Sequence, residues 1–189
     1  MKYIKITAIK TKEGFEFREL KRFPSMEWGE EGGLQADLYY QGHKIMQVYQ
    51  EGNGGPALTY TEQYYRDHKA EIDLQCLSFL KRVDENYGAN SEFASLRNKK
   101  IKNIDDDDWE AVVNNIEEYY DDVEQAAKSF RKGYKAVVAL KAAWSTDYLQ
   151  YKVSDITKEE VEKWIKNSNL GNKYTSYRIL LPTPELSIL

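Results

Sequence analysis

The chain has 189 residues, 41% of them hydrophobic and 31% charged, a formal net charge of −4 and one cysteine. A single thiol excludes an internal disulfide, and the absence of a signal-like or membrane-spanning apolar run leads us to expect a protein that stays in a reducing cytoplasm and does not enter a membrane. This length can bury a substantial core, and 15 Tyr with 4 Trp supply large amphipathic side chains to complete it or to anchor an interface.

Residues 2–9, Lys-Tyr-Ile-Lys-Ile-Thr-Ala-Ile, alternate with the period of a half-buried strand. Residues 10–33 mix charges with Phe15, Phe17, Phe23, Trp28 and the Gly32-Gly33 pair, which reads as a short extended piece and then an irregular loop pinned by its aromatics. Leu34–Tyr40 and Lys44–Tyr49 form the clearest hairpin, with Gln41-Gly42-His43 as its turn. The segment Glu51-Gly52-Asn53-Gly54-Gly55-Pro56 is a second turn, and a short strand at Ala57–Tyr60 completes a β-meander. Such a turn can cradle phosphate, but neither the Walker spacing nor the dinucleotide fingerprint occurs here.

Thr59 or Thr61 can cap a helix from about Glu62 to Asn86, with Tyr65, Ile72, Leu74, Cys76, Leu77, Leu80 and Val83 as its apolar positions. Cys76, set among these residues, reads as a buried structural thiol. The polar positions of this helix carry both signs of charge. Arg97, Lys99, Lys100 and Lys102 then form a basic segment directly ahead of an acidic one, with which it could pair.

Residues 104–126 hold ten carboxylates and no Lys or Arg, a charge of −10, so the remainder of the chain sums to +6. Trp109, Val112, Val113, Ile116, Tyr120, Val123, Ala127 and Phe130 recur at steps of three and four, the apolar stripe of an amphipathic helix whose other face is acid. Asp107 with Glu110 has capping-box spacing, Lys128, Arg131 and Lys132 suit the negative end of the dipole, and Gly133 supplies the stop. Glu117, Glu118, Asp121 and Asp122 include like-charge pairs that cost roughly a few tenths of a kcal/mol each, so helix stability does not account for them. They serve either as a solvated face or as rows of carboxylates for a basic partner.

Tyr134–Lys141 and Tyr148–Val153 read as strands around a turn at Ser145-Thr146-Asp147. Thr157 with Glu160 is a capping box that opens a short helix with Val161, Trp164 and Ile165 buried, and a last strand runs from about Lys173 to Leu181. This order predicts an α+β fold in which two long helices and a short C-terminal helix pack on an antiparallel sheet built from the N-terminal β-meander. We expect one domain over residues 1–189, with a candidate division into 1–88, meander plus helix, and 104–189, acidic helix plus C-terminal strands.

No catalytic, cofactor-binding or metal-binding residue is assigned. His43 and His68 lie in no ligand or nucleophile motif, and the run Asp105–Asp108 lacks the alternate spacing and the Gly of an EF-hand.

The block Asp37-Leu-Tyr-Tyr-Gln-Gly42-His-Lys-Ile-Met-Gln-Val-Tyr-Gln-Glu-Gly52-Asn-Gly-Gly55 is similar to one in small proteins of bacteriophages and other mobile elements, and Lys132-Gly-Tyr-Lys-Ala-Val-Val138 resembles part of their carboxyl half. The first turn departs from theirs, with Gln41-Gly42-His43 in place of Asp-Gly-Lys. Some accessory proteins of this type are anti-CRISPR inhibitors of RNA-guided nucleases, and the resemblance implies a non-enzymatic inhibitor of a host defence protein that handles nucleic acid, a Cas effector above all, in the cytoplasm of a bacterial host. Proteins that grip nucleic acid line their channels with Lys and Arg. Asp105, Asp106, Asp107, Asp108, Glu110, Glu117, Glu118, Asp121 and Asp122 would enter such a channel as DNA-mimicking phosphate surrogates, with Tyr119, Trp109 or Tyr120 adding apolar contact. Two other classes stay open. One is a metal-dependent nuclease acting on guide RNA or DNA, with carboxylates gathered from separate elements. The other is a nucleic-acid-binding accessory protein using Arg97–Lys102, against which the acidic helix argues electrostatically.

Overall fold

A computed structural model describes residues 8–24, 31–50, 58–87, 104–142, 145–168 and 173–183. Residues 2–7 of the strand expected at 2–9, the Gly-rich turn at 51–56 and the basic segment Arg97–Lys102 lie outside the described residues. The fold is α+β with antiparallel pairing throughout, and the chain forms two compact units, the larger holding Ile6–Glu118 and the smaller Tyr119–Leu186. The division falls inside the acidic helix.

In the larger unit β1 (Ala8–Lys10), β2 (Phe15–Pro24), β3 (Glu31–Tyr40), β4 (His43–Gln50) and β5 (Leu58–Thr61) form a five-stranded sheet in which each strand pairs with the next. The β-meander is therefore present, and the short extended piece expected within residues 10–33 is a ten-residue strand, β2. Alternation explains the difference: Phe15 and Phe17 are buried, while Glu16 and Arg18 between and beside them stay half-exposed and pair at 2.7 Å. A strand this rich in charge looks like a loop until its partner is known. β2 also carries one extra residue between Arg18 and Lys21 relative to β3, and Glu19 takes up the bulge at φ +54.

The β3–β4 turn is a two-residue loop of Gln41 at φ +48 and Gly42 at φ +86, closed by the pair Tyr40–His43. Positive φ at both positions is the type I′ geometry that matches strand twist, so His43 belongs to β4 and not to the turn. Facing side chains from successive strands, such as Phe17, Leu38 and Met46, line up across the sheet and are fully buried.

The expected helix after the meander is split at His68 into α1 (Gln63–Asp67) and α2 (Lys69–Tyr87). Ile72, Cys76, Phe79, Leu80 and Val83 make the buried stripe of α2, and Cys76 is a fully buried free thiol. Leu74, expected in that stripe, falls off its phase and is 52% exposed, whereas Asp73 is buried in its place. That carboxylate accepts a hydrogen bond from the Tyr65 hydroxyl at 2.8 Å and pairs with Lys69, which meets the cost of burying a charge.

The acidic helix α3 runs Asp106–Arg131. Its capping box forms two residues earlier than expected, from Asp105 and Asp108: the Asp105 N–H donates to Asp108 Oδ2 at 2.8 Å and the Asp108 N–H to Asp105 Oδ1 at 3.2 Å. Asp107 and Glu110 are left within the helix. The other end closes on a Schellman motif, with Gly133 at φ +86, its N–H on the Phe130 carbonyl at 3.0 Å and the Tyr134 N–H on that of Ser129 at 3.2 Å.

In the smaller unit β6 (Ala136–Ala142) lies between β7 (Ser145–Tyr151) and β8 (Tyr174–Leu180). Every residue of β6 but the last is buried, as expected of a central strand covered on both faces. Val138 and Leu140 point to one face and pack with Val161 and Ile165 of α4 (Lys158–Asn167), whose Thr157–Glu160 capping box forms as the sequence predicts. Trp164, expected to be buried, is 37% exposed, because Val161 and Ile165 one turn apart already fill the inner side of so short a helix.

Candidate functional site

The apolar stripe of α3 keeps its expected phase, with Trp109, Val112, Val113, Ile116, Val123, Ala127 and Phe130 all buried. One position differs: Tyr119 faces inward at 6% exposure, while Tyr120, expected in the stripe, is half-exposed. The phase of this stripe decides where each carboxylate goes.

Three of the ten residues expected on the partner-binding face belong to the protein interior. Asp108, 2% exposed, is locked in the capping box, and Tyr119 is covered on its ring face by the Arg178 guanidinium at 4.8 Å, with burial raising its hydroxyl pKa. Asp122 is fully buried. Its Oδ1 accepts from Lys141 Nζ at 2.8 Å and from the Tyr148 hydroxyl at 2.9 Å, and its Oδ2 pairs with Arg178.

Strand register explains that convergence. Ala139 of β6 stands opposite Tyr148 of β7 and Arg178 of β8, and Lys141 is two residues along on the same face of the sheet. One carboxylate on α3 is thereby tied to all three strands. Burial, and then the Asp122 charge, push the Tyr148 hydroxyl far above the usual phenol range, so it remains a donor. Asp122, expected on the partner-binding face, is instead claimed by the chain's own Lys141 and Arg178. A lysine inside the apolar run Ala136–Ala142 was the one available signal.

The other expected residues remain at the surface. Asp105, Asp106, Asp107 and Glu118 are exposed, and Glu110, Glu117 and Asp121 are half-buried. At about 100° per residue, Asp106, Asp107, Glu110, Glu117 and Glu118 occupy an arc of roughly 120° opposite the buried stripe. All five belong to the larger unit. The side chain of Trp109 anchors this part of the helix, edge-on to Phe15 at 5.6 Å and to Tyr65 at 5.7 Å, with its Nε1–H donating to the Tyr65 hydroxyl at 3.2 Å.

Among the described residues no group of three or more His, Cys, Asp or Glu is placed to hold a metal ion, and no helix is long and apolar enough to cross a membrane. His43 and His68 are exposed and stack on opposite faces of Tyr64, each at 4.1 Å between ring centroids. Compared with protein-family models, with curated proteins and with solved structures, the chain matches none.

Proposed function

We propose that the protein is a non-enzymatic inhibitor of the phage or mobile-element type that binds a nucleic-acid-handling defence protein of a bacterial host, a Cas effector above all, through the acidic face at the start of α3. The observation that carries this reading is the shared direction of Asp106, Asp107, Glu110, Glu117 and Glu118 opposite the buried stripe. Five carboxylates over about 18 Å of helix axis have a mean spacing of roughly 4.5 Å, against about 3.4 Å per phosphate along one strand of a duplex. A groove lined with Lys and Arg to follow a nucleic-acid backbone meets a similar linear charge density on this helix. The scaffold under it is rigid, because Trp109 and the Asp105–Asp108 box fix the first turn.

The test replaces Asp107 with Asn and both Glu117 and Glu118 with Lys, leaving the buried Asp108 and Asp122 intact. We expect the folded variant to inhibit DNA cleavage by a guide-loaded Cas effector at least about tenfold more weakly, with a shallower dependence on salt. Undiminished inhibition by a variant with the wild-type melting profile would exclude the acidic face as the binding surface.

A further inference from the structure

We infer that the C-terminal end of α3 and the turn it feeds form a second, basic binding patch, for the sugar-phosphate backbone of a single nucleic-acid strand. The inference does not depend on what the acidic face binds, and the patch is a different one from Arg97–Lys102. Arg131 and Lys132 end the helix, the Schellman turn at Gly133 brings Tyr134 and Lys135 next, and all three cations are exposed. The Lys135 N–H donates to the Tyr151 carbonyl at 2.7 Å, which brings the end of β7 alongside, and with it the exposed Lys152. Lys152 Nζ stands 4.0 Å from the centroid of the Tyr134 ring.

One cation therefore lies over a half-exposed aromatic ring whose near neighbours in sequence supply three more, and among the described residues none of the four is engaged in an ion pair. Of the nearby acids, Glu124 is held by Lys128 at 3.3 Å, and Glu160 accepts the Thr157 N–H of its capping box at 2.8 Å. The dipole of α3 accounts for a cation at Arg131 and Lys132, but Lys135 and Lys152 lie beyond the helix, where it falls away. Cations that track phosphates beside an aromatic platform for bases are the ingredients of a single-strand site. A bilayer surface is a poorer fit. Ala126, Ala127 and Phe130 of this helix are buried, and among the described residues Val153 is the one exposed large aliphatic beside the patch.

The test measures fluorescence anisotropy of labelled single-stranded RNA and DNA oligonucleotides with the full chain over a salt series. Wild-type protein is expected to bind at low salt, with log K falling against log salt at a slope of about −2 to −3, as roughly 0.7 per neutralised phosphate requires. Replacing Lys132, Lys135 and Lys152 with Gln, all at exposed positions, should weaken binding at least about tenfold and flatten the slope by about 2. Tyr134→Leu should weaken single-strand binding several-fold while leaving the slope unchanged. No binding at low salt, or the same affinity and slope in the folded triple variant, would overturn the inference. So would binding to phosphatidylserine vesicles, lost in the triple variant, without binding to oligonucleotides. A duplex bound as tightly as the single strand, with no effect of Tyr134→Leu, would overturn the single-strand assignment.

Discussion

Asp122→Asn is expected to cost roughly 3–5 kcal/mol, the range for breaking a buried ion pair by removing one partner. The substitution is nearly isosteric, so the loss is electrostatic: the Lys141 and Arg178 side chains, 9% and 22% exposed, are left facing an amide that cannot balance them. Oδ1 alone serves both Lys141 and Tyr148, and an amide nitrogen in either position also sets donor against donor. Amide hydrogen exchange along β6 reads the effect where it arises, and its protection should fall by at least two orders of magnitude. A companion variant with Leu at 122 and Met at both 141 and 178 removes all three charges and should recover much of the loss, because buried ion pairs are often matched by apolar packing of similar volume. If Asp122→Asn left β6 exchange unchanged, the carboxylate could not be the counter-charge of the sheet.

The second large effect is expected at Trp109. Trp109→Ala should cost about 3–5 kcal/mol, since the indole is 2% exposed and its removal leaves a cavity between Phe15 and Tyr65. The loss reaches further than volume. The Tyr65 hydroxyl accepts from Trp109 Nε1 and from Lys69 Nζ at 3.1 Å and donates to Asp73, so the indole is one end of a polar chain that satisfies a buried carboxylate. Trp109→Phe keeps most of the packing and gives up the Nε1–H bond, and its cost should be about 1–2 kcal/mol. Denaturant unfolding followed by amide exchange in α2 and β3 separates the two variants. Equal losses would assign Trp109 to packing alone, and a loss under about 1 kcal/mol for Ala would remove it as the anchor of the helix.

The parts of this protein that were legible from sequence are those governed by near neighbours. Strict alternation at Leu34–Tyr40 marked β3, Thr157 with Glu160 marked the start of α4, and Gly133 marked the end of α3. Each depends on residues within about one turn or one strand of each other. Two of the misreadings have the opposite property. Tyr119 and Tyr120 are adjacent aromatics of equal hydrophobicity, and packing, not periodicity, selects which faces inward. Asp122 meets Arg178 across 56 positions of sequence, a pairing that depends on β8 lying beside β6. In β2, Glu16 and Arg18 conceal a strand because they neutralise each other on its outer side.

The three-ring stack of His43, Tyr64 and His68 makes the chain's own imidazoles into internal reporters. Each ring lies flat against one side of the same phenol at 4.1 Å, with interplanar angles of 7° and 20°, so its carbon-bound protons fall within the shielding region of an aromatic current. Their resonances should move upfield together while the β3–β4 hairpin and α1 stay joined, and return to random-coil positions when those elements part. With only two histidines in the chain, a proton spectrum needs no isotope label to follow that event.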